Sequence, residues 1–232
     1  MHTALVEQAS EAYRSAGVFA YKFARGKLRG DPVFCAMLER GLLLGRARIL
    51  DLGRGQGLLA AWLRAALLCY ENGSWPQGWP PAPAPSSTRG IELMNRDVQR
   101  ARAALGAACE ISQGDIRSAE FGITDAVIIL DVLHYMPKDE QLEVLKRVRC
   151  ALPTQGLLLL RIGDADGGLR FLYGQWVDKL VMLFRGHSSV ATHCRSAAQW
   201  RDLLHECGFD VQATPMSEGT RFANVLLIGH AK

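Results

Sequence analysis

The six cysteines of this 232-residue chain include no C-x-x-C pair, its histidines number only six, and it holds no uncharged apolar run long enough to cross a bilayer. Scattered thiols without paired spacing argue against a disulfide framework at this size and fit the reduced thiols of a cytoplasmic protein. His187, His193 and Cys194 are the one local gathering of metal-binding residue types, and their spacing matches no standard site, so no metal is expected. Concentrated charge is missing too. The 27 basic and 23 acidic residues, formally +4, are spread along the chain, which argues against a nucleic-acid binder. Glu7 and Glu11 interrupt the N-terminal residues before any basic-then-apolar order of a secretory leader develops.

What the chain does have is apolar content, 49% of its residues, enough for one sizeable core. A single domain over 1–232 is expected. Its organising stretch is Arg48 to Leu59, R-I-L-D-L-G-R-G-Q-G-L-L. Ile49, Leu50 and Leu52 read as a buried strand, Gly53, Gly55 and Gly57 as a sharp turn, and Leu58 to Leu68 as a helix whose first amides point towards a ligand. A glycine triplet alone also fits a plain strand-to-helix turn.

Ahead of this stretch, residues 1–45 read as a helical cap, with a second helix starting at Asp31-Pro32, where Asp caps free amides and Pro suits the first turn. The cap either covers the mouth of a ligand cleft or simply packs on the sheet edge. After it, residues 70–88 carry Pro76, Pro80, Pro81, Pro83 and Pro85 with Trp75 and Trp79. So many prolines exclude a regular helix or a central strand, leaving a surface loop inserted in the domain; the two tryptophans favour an ordered one.

Strands are expected at Thr88 to Leu93, Cys109 to Ser112, Asp125 to Leu133 and Leu157 to Ile162, with helices at Asn95 to Leu105 and Pro137 to Leu152. Alternating strands and helices imply a doubly wound α/β fold, a mostly parallel sheet with helices on both faces. Leu169 to Phe184 reads as a helix rich in large apolar groups, and Ser196 to Cys207 as another. Phe209 to Ala213 and Asn224 to His230 close the chain as an antiparallel pair.

Four points then fall at the carboxyl ends of successive strands: Asp51 with its glycines, Glu92, Asp115 and Asp131. That edge of an open parallel sheet is where ligands bind. Any one acid could be a solvated loop end, but together they favour a nucleoside-containing cofactor, with Glu92 placed to accept from both ribose hydroxyls. A dinucleotide suits the chain poorly. The spacing is G-x-G-x-G rather than G-x-G-x-x-G, and Asp51 would repel a pyrophosphate.

The motifs I-L-D-L-G-R-G-Q-G, G-I-E-L, Q-G-D-I and D-A-V-I-I-L-D-V-L-H-Y-M resemble those of the class I S-adenosylmethionine-dependent methyltransferases, over most of the chain from Arg48 onwards. The resemblance implies a Rossmann-like sheet of seven strands with the last antiparallel, and S-adenosyl-L-methionine as cofactor. It implies that Asp51, Gly53, Gly55 and Gly57 face the amino acid part of the cofactor, that Glu92 and Leu93 meet the ribose, and that Asp115 and Ile116 read the adenine. Asp131 and Val132 would line the cleft near the sulfonium. Two departures stand out: Arg54, expected to point out of the turn or towards a ligand carboxylate, and the insertion, which lengthens the path to Glu92.

Methyl transfer needs an aligned nucleophile, and a base only if the acceptor must lose a proton. His134 is the first candidate for that base and Tyr135 the second, with His187 and His193 behind them; each also has an ordinary structural reading. The apolar groups from Phe171 to Phe184 suit either a pocket for a small aromatic or acyl-type acceptor or plain helix packing. The region from Phe171 to His230 loosely resembles methyltransferases of aryl polyene pigment biosynthesis. The alternative function is a cofactor-binding but inactive member of the family acting as a partner or scaffold.

Overall fold

Parallel pairing of three strands sets out the first half of the fold. In the computed structural model, which describes residues 2–106, 110–168, 170–171, 192–220 and 222–232, all strands join one seven-stranded sheet in the order β3-β2-β1-β4-β5-β7-β6. These are β1 (Arg48–Leu52), β2 (Ser87–Glu92), β3 (Glu110–Gln113), β4 (Ala126–Leu130), β5 (Leu157–Gly163), β6 (Phe209–Pro215) and β7 (Asn224–Ala231). The chain divides into two compact units, Met1–Glu120 with Thr124–Ala126, and Phe121–Ile123 with Val127–Lys232.

In the first unit β1 pairs β2 from Arg48↔Ser87 to Leu52↔Ile91, and β2 pairs β3 from Arg89↔Glu110 to Glu92↔Gln113. This register brings the ends of β1 and β2 level. Ile49, Leu50 and Leu52 are buried, and so are Leu58, Leu59, Trp62, Leu63 and Cys69 of α4 (Leu58–Glu71), which packs against α1 (His2–Glu11). The N-terminal residues also form α2 (Val18–Gly30) and α3 (Pro32–Glu39). Asp31 caps α3 by accepting from the Val33 amide at 3.2 Å, with Pro32 in the first turn, the pairing that its sequence signals. The indole N–H of Trp62 on α4 donates to the Phe34 carbonyl on α3 at 2.8 Å.

The proline-rich stretch after α4 has no regular element but is held internally. Trp75 donates to the Pro80 carbonyl at 2.8 Å and meets Tyr70 and Trp79 edge-on at ring separations of 5.9 and 5.6 Å. Its far end is fixed where the Ser87 amide donates to the Ala47 carbonyl. Beyond β2, α5 (Asn95–Leu105) buries Val98, Ala101 and Leu105.

In the second unit Val127, Ile128 and Ile129 of β4 are fully buried, as are Leu158, Leu159 and Leu160 of β5. The strand expected from Asp125 to Leu133 stops at Leu130. Asp131 takes the left-handed conformation at φ 59°, and a single 3-10 turn follows at Leu133–Tyr135. A non-glycine residue there cannot continue a strand. Then come α6 (Lys138–Ala151), β5, and α7 (Ala197–Glu206), the last opened by a reciprocal capping box between Ser196 and Gln199. β7 runs antiparallel to both neighbours, from Leu157↔His230 along β5 and from Phe209↔Ala231 along β6. All but residues 170–171 of the helix expected at Leu169 to Phe184, the residue Cys109 and the candidate His187 lie outside the described residues.

Candidate functional site

The turn after β1 can be made only by glycine. Gly53, Gly55 and Gly57 have φ of 73°, 55° and 79°, all left-handed, where a Cβ is strained. A Cβ added to Gly55 would meet nothing within 4 Å, so here conformation rather than crowding requires the glycine. The turn is tied to β2 by the amides of Gly53 and Arg54, which donate to the Ile91 carbonyl at 2.9 and 3.3 Å. Glu92 completes the tie. One carboxylate oxygen accepts from the Gly55 amide at 2.6 Å and the other from the Met94 amide at 2.9 Å. Each oxygen keeps a further lone pair for another donor.

Asp51, near the end of β1, is 5% exposed, and its carboxylate accepts no hydrogen bond among the described residues. Burial pushes its carboxyl up to about 7; the Arg54 cation pulls it down and the Glu92 charge adds to the rise. A buried carboxylate without donors suits a cationic ligand group, which would lower the cost of keeping it ionised.

Of the two courses expected for the Arg54 side chain, it takes the one out of the turn and lies buried across β2, where Nη1 donates to the Thr88 and Glu110 carbonyls at 3.1 and 3.3 Å. Gly90 makes the space for it: a Cβ there would lie 2.0 Å from Arg54 Cδ. The remaining donors, Nε and Nη2, are buried without a partner among the described residues.

The end of β3 is drawn to the same edge, because the Gly114 amide donates to the Glu92 carbonyl at 3.0 Å. Asp115 follows. Its carboxylate accepts from the Arg117 amide at 2.9 Å and from the Arg117 guanidinium, which holds the carboxyl below the usual range despite partial burial. Ile116 is buried and Leu93 well exposed. The first unit thus gathers Asp51, the glycine turn, Glu92 and Asp115 at neighbouring strand ends.

In the second unit, the Asp131 carboxylate is paired with Arg161, a fully buried residue of β5 whose Nε donates to it at 2.8 Å. Val132 leads into the 3-10 turn that carries His134 and Tyr135, with ring centroids 4.0 Å apart. That turn is clamped by Gln141, whose side-chain amide donates to the carbonyls of Leu133, Met136 and His193 at 3.1, 3.0 and 2.8 Å. The His193 amide in turn donates to the His134 carbonyl at 2.7 Å, so this histidine contributes backbone to the turn. Sequence reasoning passed over Gln141 and Arg161. Both carried a signal, a polar residue on the inward face of a helix and a lone charge inside the run L-L-L-L-R-I-G.

Against known families, residues 22–214 match the model of the methyltransferase domain. The chain belongs to this methyltransferase family. Its cofactor is S-adenosyl-L-methionine, and the residues present fit that group: a buried carboxylate for an ammonium, a glycine turn with room above Gly55, and an acid at the end of β2. Solved structures share the fold. The methyltransferase resembles a chain of the complex between the Haloferax volcanii Trm112 methyltransferase activator and a methyltransferase, at TM-score 0.65 and 15% identity, over 90% of this chain and 92% of that one. Magnesium protoporphyrin IX methyltransferase from Synechocystis PCC 6803, solved with bound SAH, aligns at TM-score 0.58 and 17% identity over 96% and 94%. Mitomycin 7-O-methyltransferase aligns at TM-score 0.60 and 21% identity over 98% of this chain and 68% of its own. No curated protein matches the methyltransferase in sequence.

Proposed function

We propose that the methyltransferase transfers the methyl group of S-adenosylmethionine to a small aromatic or acyl-type acceptor by in-line displacement, in a cytoplasmic setting. The observation that carries the cofactor side is Asp51, a buried carboxylate without hydrogen-bond donors beside a turn of three left-handed glycines. Asp51 takes the ammonium of the cofactor, and Gly53, Gly55 and Gly57 let the backbone lie close to its amino acid part. Glu92 keeps lone pairs for the ribose hydroxyls while its other contacts hold the turn. Asp115, Ile116 and Leu93 serve the nucleoside, and Asp131 with Val132 the methyl-bearing end.

The cofactor brings an already activated methyl group, so the chain's own work is to align the acceptor and exclude water. His134 is the residue assigned to take a proton from an acidic acceptor such as a phenol, with Tyr135 beside it as a hydrogen-bonding group. A small-molecule acceptor is supported by the neighbours named for acting on magnesium protoporphyrin IX and on mitomycin. Of the two departures that prompt the reading of an inactive partner protein, Arg54 and the inserted loop, the first lends it no support, because its side chain lies along β2. Release of S-adenosylhomocysteine in a screen of phenolic and polyene acids tests the reading. Turnover that falls on His134→Ala without loss of cofactor affinity supports it. Cofactor binding with no turnover on any acceptor would restore the partner reading.

A further inference from the structure

We propose that Tyr13, 43 residues away in sequence, is a positioning residue of the cofactor site, its hydroxyl fixing the shape of the glycine turn by holding the Gln56 carbonyl. This rests on the assignment of the Gly53–Gly57 turn to the cofactor. Tyr13 is fully buried in the single 3-10 turn Ala12–Arg14 that joins α1 to α2, and its hydroxyl donates to the Gln56 carbonyl at 2.8 Å. Gln56 stands between two left-handed glycines and is itself 4% exposed, so water is a poor substitute for the tyrosine. Nor does the following helix supply a donor. The α4 amide that first bonds back into the turn is that of Ala61, and it takes the carbonyl of Gly57, one residue further on.

The peptide plane that carries the Gln56 carbonyl also carries the Gly57 amide, so a hydroxyl that orients one orients the other. The Gly57 amide closes the turn on the Arg54 carbonyl at 3.1 Å, directly ahead of the first amides of α4, which face towards an anionic or polar ligand group. The first half of the turn is held on β2 by the Gly53 and Arg54 amides and by Glu92, which takes the Gly55 amide. Its second half rests on the Gly57 amide's bond to the Arg54 carbonyl and on Tyr13, which takes the Gln56 carbonyl. Gln56 is flanked by glycines, so without the tyrosine contact its peptide plane would tilt more freely. The N-terminal segment is in this way part of the cofactor site without touching the cofactor. Two further contacts hold the same N-terminal segment without reaching the turn: Ser15, two residues on, donates to the Ala103 carbonyl on α5 at 2.8 Å, and Gln8 on α1 accepts from the Cys69 thiol on α4.

The test compares wild type, Tyr13→Phe and Ser15→Ala. Tyr13→Phe keeps the ring and removes only the donor, whereas Ser15→Ala removes a hydrogen bond of the same segment that does not reach the turn. S-adenosylhomocysteine is titrated calorimetrically well below the melting temperature of each variant, and amide exchange is followed at residues 55–58 without ligand. The expected result is about tenfold weaker binding and faster exchange at those amides for Tyr13→Phe, with neither change for Ser15→Ala. Unchanged affinity in Tyr13→Phe, even with a lowered melting temperature or faster exchange, makes the tyrosine merely structural and overturns the proposal. Failure of the wild type to bind would instead overturn the cofactor assignment of the turn, and the proposal with it.

Discussion

Arg54 and Gly90 occupy a space that only one of them can fill, and the consequence can be put in numbers. In Gly90→Ala the new Cβ would lie 2.0 Å from Arg54 Cδ, 2.9 Å from Nη1 and 3.0 Å from Cγ, so the arginine has to leave. Leaving breaks the two hydrogen bonds from Nη1 to the Thr88 and Glu110 carbonyls. Hydrogen bonds from a charged donor contribute about 1.5–3 kcal/mol each, so the substitution should cost about 3 kcal/mol or somewhat more. In an Arg54→Ala background the same Cβ enters space the arginine has vacated. There, Gly90→Ala should cost about 1 kcal/mol at most, because no donor is displaced and alanine suits a strand better than glycine. The predicted coupling between the two sites is therefore at least about 2 kcal/mol, measured by urea denaturation of all four proteins as a double-mutant cycle. An equal cost of Gly90→Ala in both backgrounds would refute the claim that Arg54 is what requires the glycine.

Two further predictions concern ionised groups. Because the Asp51 carboxyl is raised to about 7 in the fold, the native protein holds a proton that the unfolded chain releases above the ordinary carboxylate range. Stability of the ligand-free protein should thus fall as pH rises from about 4 to about 7, and Asp51→Asn should flatten that slope in denaturation series; an unaltered slope would contradict the burial argument. Removing the buried partner of Asp131 with Arg161→Met should destabilise by about 2 kcal/mol, below the value for a fully buried pair because the Asp131 side chain is 32% exposed. Adding Asp131→Asn should recover most of that loss in thermal melts, and no recovery would mean that the arginine acts through packing alone.

Sequence periodicity made the strands of the first half and the closing antiparallel pair legible, because each is built from short apolar runs bounded by turn residues. Asn95–Leu105 forms the helix expected of it to the residue, and the Asp31-Pro32 start of α3 was readable for the same reason, that caps are local chemistry. The end of β4 was not. D-A-V-I-I-L-D-V-L is apolar on both sides of Asp131, and the left-handed backbone at that residue, held with its side chain on Arg161, stops the strand at Leu130. The course of Arg54 was hidden for a related reason. Its destination depends on a glycine 36 residues later, and no pattern within the turn points to it. Tyr13 looked like one apolar member of a helical face, whereas its hydroxyl makes a contact 43 residues away. Long-range hydrogen bonds of single polar atoms are invisible to periodicity, and here they are what shapes the candidate site.

The measurement that bears most directly on the account is calorimetric titration of wild type and Asp51→Asn with S-adenosylhomocysteine, with NAD as control. The account predicts that wild type binds S-adenosylhomocysteine and not NAD, that its affinity strengthens as pH rises through about 7 while Asp51 ionises, and that Asp51→Asn loses at least about tenfold in affinity together with that pH dependence. Equal binding by the two proteins, or binding of NAD in place of S-adenosylhomocysteine, would contradict the assignment of Asp51 and the glycine turn to the cofactor.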